Sequence, residues 1–229
     1  MSPPFLTARW EQLALLNYSV ERALLDPRVP RGTELDLWNG VPYVSLVGFR
    51  FTGTRVRGIA IPWHRDFDEV NLRFYVRRGE KRGVVFIREI VPRAAIAAVA
   101  RWTYNEPYVT APVEHTIGPG LVAYRWRYRG RRFDLSASIE GPPHEIEPGS
   151  EAEFMTHRGW GYTRQRDGGT LEYEVEHSHW RIWHPTRSSF RGDASRLYGA
   201  DLGAVLAREP DSSLVAEGSA VVVHAGARV

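Results

Sequence analysis

The chain has 229 residues, 43 % of them hydrophobic and 25 % charged, an ordinary globular composition. It has no Cys, which excludes a disulfide framework, a thiolate metal site and a Cys nucleophile. Net charge is +3, and all basic side chains except Lys81 are Arg; they alternate with acids, as in EVEHSHWR, instead of forming the concentrated basic face that nucleic acid requires.

The N-terminal stretch MSPPFLTARWEQ lacks the basic region and apolar run of a secretory signal. No apolar stretch approaches the roughly 18 to 20 residues of a membrane span. A cytoplasmic protein with no membrane partner is therefore expected.

In chain order, residues 8–25 place Trp10, Leu13, Leu16, Val20 and Leu24 on helical spacing. Thr7 suits the N-cap and Asp26-Pro27 the stop, so a helix is predicted. Strands are predicted at 43–51, 69–77 and 83–90, with residues 79–83 as a hairpin loop between the last two. Pro92 suits the first turn of an Ala-rich helix ending near Asn105. Further strands are expected at about 120–128, 131–139, 158–165, 170–183 and 214–224. Ser150 would cap a short helix through Met155, and a weak helix is expected over 194–207. The run RWRYRGRRF reads as two strand arms around a turn at Gly130, with the Arg side chains in water. The pattern is α+β, mainly antiparallel β with three or four helices, in one domain spanning residues 1–229. Many hairpin-joined strands suggest a barrel or two packed sheets.

The 69–76 stretch carries two faces. Val70, Leu72, Phe74 and Val76 point one way, and Glu69, Asn71, Arg73 and Tyr75 the other. The polar row suits a solvated face, or the lining of a polar cavity inside a barrel. His177 and His179 share a strand face, but His184 and Glu176 have the opposite parity, so no metal is expected and surface or interface histidines are the simpler reading. No Gly-rich phosphate loop and no nucleophile-elbow serine is present.

FDEVNLRFYVRRGEKRGVVFIREI, ARWTYNEPYVTAP, FMTHRGWGYTR and LVAEGSAVVVHAG, in that order, closely resemble the YqjF-like domain of unknown function. That family is grouped with acetoacetate decarboxylase-like proteins. The resemblance implies an antiparallel, cone-shaped β-barrel around an apolar pocket, with flanking helices. It matches Phe67-Asp68-Glu69 to the stretch that supplies a pocket glutamate in the decarboxylase. Where the decarboxylase has its Schiff-base lysine and the neighbouring lysine, this chain has Tyr108 and Val109. A phenol cannot form a Schiff base. Lys81, in the charged hairpin, is no substitute.

The expected site therefore joins Glu69 and Tyr108 as proton-exchanging groups to Asn71, Arg73 and Glu106 as ligand-binding groups. Arg50 and His115 rank below them, with a helix-end or strand-end role expected for each. The expected ligand is a small organic acid or carbonyl compound, with no cofactor. The alternatives are a non-catalytic protein that binds a small apolar ligand and, ranked below it, an Arg-rich nucleic-acid or protein-interaction module; a homo-oligomer is left open.

Overall fold

The computed structural model describes residues 4–60, 65–92 and 107–229. The helix expected after Pro92, together with Asn105 and Glu106, lies outside these residues. The strands are β1 (Pro4–Ser19), β2 (Glu34–Leu35), β3 (Tyr43–Val56), β4 (Ile59–Ala60), β5 (Phe67–Arg78), β6 (Lys81–Val91), β7 (Tyr108–Thr110), β8 (Val113–Gly118), β9 (Leu121–Tyr128), β10 (Arg131–Ser138), β11 (His144–Glu145), β12 (Trp160–Arg164), β13 (Thr170–His177), β14 (Arg181–Trp183), β15 (Arg187–Arg191), β16 (Ser212–His224) and β17 (Ala227–Arg228). Short helices span Arg22–Leu25, Glu151–Thr156, Ser195–Tyr198 and Ala200–Leu206.

Seven strands close a barrel in the order β16-β1-β3-β5-β6-β12-β13, and β13 pairs back onto β16. All these pairings are antiparallel except β6–β12, which is parallel. A second sheet, β15-β10-β9-β8, packs on the outside. Two apolar cores result. One lies inside the barrel and includes Leu13, Leu15, Val47, Phe49 and Tyr75. The other lies between the barrel wall, the outer sheet and the last two helices, and includes Leu16, Val70, Leu72, Phe74 and Trp126. Gly48 permits the outer sheet to dock, because a Cβ there would sit 2.5 Å from Cδ2 of Tyr124.

The helix predicted over residues 8–25 is β1, followed by one helical turn from Arg22. Helical propensities differ by less than about 1 kcal/mol per residue among ordinary side chains. Here both edges of the segment are paired, with β3 and β16, and Leu13 to Tyr18 are buried on both faces. An apolar run buried on both faces satisfies helical spacing by accident.

The hairpin 67–91 forms as expected, with a tighter turn at Gly79-Glu80. The predicted 170–183 strand is broken after His177, and the 194–207 helix breaks at Gly199, whose φ is 89°. Ser150 caps its helix as predicted, its hydroxyl accepting from the Glu153 N–H at 3.2 Å. The β9–β10 hairpin turns at Arg129-Gly130, both at positive φ, and Arg125, Arg127, Arg131 and Arg132 are exposed. Among the described residues no helix is long and apolar enough to cross a membrane.

Two local kinks decide what faces inward. Gln12 (φ 54°) and Gly218 (φ 87°) lie on the paired strands β1 and β16. Leu6, Ala8 and Trp10 face the interior before Gln12, and Leu13 and Leu15 after it, so the facing parity flips. In β6, Ile87 is an extra residue: Phe86 pairs with Arg73 and Arg88 with Leu72. The flip brings Glu89 to the same side as Val84 and Phe86.

Gly218→Ala tests the first kink. A Cβ there would lie 2.0 Å from the Trp10 carbonyl oxygen. Gly53 also has positive φ, 64°, but open space around it. Gly53→Ala is expected to cost about 1 kcal/mol of unfolding free energy, from backbone strain alone. Gly218→Ala is expected to cost clearly more, read by chemical denaturation, since strain and clash add.

Candidate functional site

The barrel interior is not filled by its own side chains. A cavity of about 130 Å³ remains, and it is not fully enclosed. At one end, Phe154 and Met155 of helix Glu151–Thr156 pack into the interior core. Tyr75 meets Phe154 with ring centroids 5.2 Å apart.

β5 supplies the polar row. Glu69, Asn71, Arg73 and Tyr75 are all buried, as are Val70, Leu72, Phe74 and Val76 on the opposite face. The solvated-face reading of this row is thus corrected in favour of the polar-cavity reading: the apolar face is covered by the outer core and the polar face looks into the barrel. Asn71 Nδ2 donates to Glu69 Oε1 at 3.1 Å, and Arg73 Nη2 donates to the Met155 carbonyl at 3.0 Å. Burial pushes the Glu69 carboxyl up to about 7, against the opposing pull of the Asn71 hydrogen bond and the Arg73 charge.

Tyr108 also lines the cavity. Its strand, β7, does not adjoin β5. β6 lies between, and Glu89 pairs with Asn71 on one side and with Tyr108 on the other. Glu69 and Tyr108, both expected as proton-exchanging groups, therefore do not come from neighbouring strands, and the intervening group is Glu89, only 2 % exposed. The Ile87 bulge explains why strand parity misses it, since unbroken alternation from Phe86 would turn Glu89 outward.

Three other lining residues were missed or misjudged. Arg158, 4 % exposed, bonds Asp36 through Nη1 and lies over the Phe154 ring at 4.1 Å. Burial lowers its pKa to about 10. His177, expected at the surface, is half-buried and faces the cavity. Its ring stacks on Trp180 at 4.4 Å, and its Nδ1–H donates to the Ser178 carbonyl at 3.0 Å. Burial also lowers the His177 pKa. Trp10 completes the set; the helical reading had already marked it as apolar, though on a helix. His179 and His184 are exposed.

Arg50 and His115 gather around Asp68, whose carboxylate points away from the cavity. Both lie within strands, Arg50 inside β3 and His115 inside β8, so the expected end role is corrected: they are ion-pair and hydrogen-bond partners of Asp68. Lys81 does not line the cavity. It is anchored rather than merely solvated, with Nζ on the Glu172 carboxylate and 3.8 Å from the Trp160 ring centroid. Among the described residues, one other grouping of metal-ligand type occurs, Glu174, Glu176 and His224. There His224 Nε2 lies 2.7 Å from Glu176 Oε1 on the β13–β16 seam.

This barrel has the acetoacetate decarboxylase-like fold. Acetoacetate decarboxylase from Legionella pneumophila subsp. pneumophila str. Philadelphia 1 superimposes with a TM-score of 0.74 at 14 % identity, over 100 % of this chain and 88 % of that one. The enduracididine biosynthesis enzyme MppR, in its complex with pyruvate, does so at 0.68 and 15 % identity, over 100 % and 91 %. Residues 7–220 match DUF2071, a family of uncharacterised conserved proteins, and the chain belongs to that family. The uncharacterised protein YqjF of Bacillus subtilis (strain 168) is 28 % identical over 174 residues, 74 % of this chain and 71 % of its own.

The raised carboxyl pKa of Glu69 gives a testable pH dependence. Below about 4.5 the carboxyl is protonated in both the folded and the unfolded chain. Between there and about 7 only the folded chain keeps the proton, so this group's contribution to stability falls as pH rises, then levels off. Glu69→Gln, which never ionises, is expected to gain stability relative to the native chain between those limits. The gain should grow as pH rises between those limits and then level off. Denaturant unfolding of both proteins at acidic and at mildly alkaline pH measures it; parallel pH curves would refute the assignment.

Proposed function

We propose that this barrel binds a small organic acid or carbonyl compound in its interior cavity and moves a proton on it through Glu69 and Tyr108, without a Schiff base. The observation that carries the reading is the buried carboxyl of Glu69, raised toward neutrality beside Arg73 and Asn71 on the polar wall of a cavity whose other walls are largely apolar. A carboxyl that gains and loses its proton near pH 7 is suited to general acid–base work. Arg73 and Asn71 supply the ligand-holding groups, and Tyr108 a phenol at the opposite side of Glu89. Glu106 keeps its proposed ligand-binding role from the resemblance alone.

The chain's one lysine lies outside the cavity wall, which supports chemistry without a lysine imine. MppR, a structural neighbour, is known in complex with pyruvate, a small oxo acid of the proposed class. Binding without turnover is the second reading. It is favoured by the predominance of apolar wall residues and, among the described residues of the wall, by the lack of a nucleophile of the usual kinds.

Incubation with acetoacetate and borohydride, followed by intact mass, is expected to give no stoichiometric adduct. An adduct abolished by Lys81→Arg would refute the lysine-free reading.

A panel of 2- and 3-oxo acids, screened by thermal shift and then for turnover, separates the two readings. For a ligand so found, Tyr108→Phe is expected to weaken binding by about 1 kcal/mol, one hydrogen bond to the bound group. Its melting should stay within a few degrees of the native protein, since no ring volume is lost. Unchanged affinity would remove Tyr108 from the site.

A further inference from the structure

We infer that the ligand of this cavity is an aryl-substituted 2-hydroxy acid, its acid end held among Asn71, Arg73 and Arg158 and its ring in an aromatic collar around Trp10. The inference rests on the reading of the cavity as a site for a small acid and names the class of that acid.

The acid end follows from hydrogen-bonding groups that the protein leaves unmatched. Among the described residues, buried Arg73 Nε and Arg158 Nε and Nη2 have no acceptor. All belong to side chains that line the cavity. Buried guanidinium N–H groups without acceptors are costly, and a carboxylate meets them in pairs. On the same wall, Asn71 Oδ1 is a buried acceptor with no donor among the described residues. A carboxylate alone supplies acceptors only. The wall therefore asks for an acid that also carries an O–H close to its carboxylate. A 2-hydroxy acid has both groups on adjacent carbons.

The ring end follows from strand register. Along β5 the polar row ends at Glu69, which pairs with Phe49, and the next inward residue is Phe67, paired with Phe51. Phe51 stacks on Phe67 at 4.5 Å and pairs in turn with Trp10. Trp10 meets Phe49, Phe51 and Trp180 with centroids 5.6, 6.0 and 6.3 Å apart, and His177 stacks on Trp180. The polar row thus runs directly into a collar of rings. Edge-to-face and stacked contacts of this kind favour a flat aromatic guest over a bare methyl group.

The test is isothermal titration of the whole protein with lactate, 3-phenyllactate and 3-phenylpropionate. Phenyllactate is expected to bind about tenfold more tightly than lactate, from ring burial and stacking. It should also bind about fivefold more tightly than phenylpropionate, which lacks the hydroxyl. Trp10→Leu should erase the first advantage and Asn71→Leu the second, with thermal melts confirming folded variants. If Trp10→Leu does not fold, Phe49→Leu at the same collar takes its place. Equal binding of lactate and phenyllactate would overturn the aromatic collar while leaving the small-acid reading intact. Equal binding of phenyllactate and phenylpropionate would overturn the hydroxyl assignment alone. Binding of none of the three, in a protein that does bind an oxo acid from the wider panel, would overturn this inference only. A protein that binds no acid of either set would overturn the small-acid reading as well.

Discussion

The structure depends on one costly placement: Glu69, Asn71 and Arg73 in consecutive inward positions of a strand that is buried on both faces. An unpaired charge or amide in such surroundings costs several kcal/mol. The outward face of the strand offers no relief, because Val70, Leu72, Phe74 and Val76 are fully occupied by the outer core. The polar side chains must therefore be satisfied from inside the barrel. Asn71 bonds Glu69, Arg73 reaches the Met155 carbonyl, and Arg158 pairs with Asp36. The helix Glu151–Thr156 is held in the barrel partly by this demand, since its last turn provides the carbonyl that Arg73 requires. A barrel filled with apolar side chains would bury the same area at less electrostatic cost. Retaining the polar row is consistent with a site, and it is why the cavity rather than the surface arginines carries the functional argument.

Much of this was legible in the sequence, for physical reasons that can be separated. The β5–β6 hairpin alternates cleanly and is bounded by turn residues, so its period and register were readable. Glu69, Asn71 and Arg73 fell on one face by parity alone, although parity did not say whether that face was wet or enclosed. What enclosed it was closure of β13 onto β16, a pairing of residues far apart in the chain. No local pattern announces such a contact. β1 was misread because a strand buried on both faces has no polar side to reveal its period. The resemblance to the YqjF-like family supplied the barrel where periodicity could not.

The side chains that escaped the sequence share a cause. Glu89 is turned inward by the extra residue Ile87, and Leu13 by the kink at Gln12. A bulge inserts one residue and reverses every facing beyond it. Parity then gives the wrong answer with full internal consistency. Arg158 follows the capped helix and enters the cavity through a non-repetitive segment, where neither period applies. His177 was expected at a surface or interface because parity gave it no third metal ligand; the strand ends after it, and its ring stacks on Trp180 and lines the cavity.

The same kinks also explain how one cavity can hold two chemistries. Without the flip at Gln12, Trp10 and Leu13 could not both face the interior, and the collar would lose either its indole or the apolar wall below it. Without the Ile87 bulge, Glu89 would turn toward the outer core and Asn71 would face Arg88 across the hairpin instead. The backbone irregularities are thus what set an acidic, amide-bearing wall against an aromatic one inside the same closed sheet. Regular strands could build the barrel; the departures from regularity decide what it can bind.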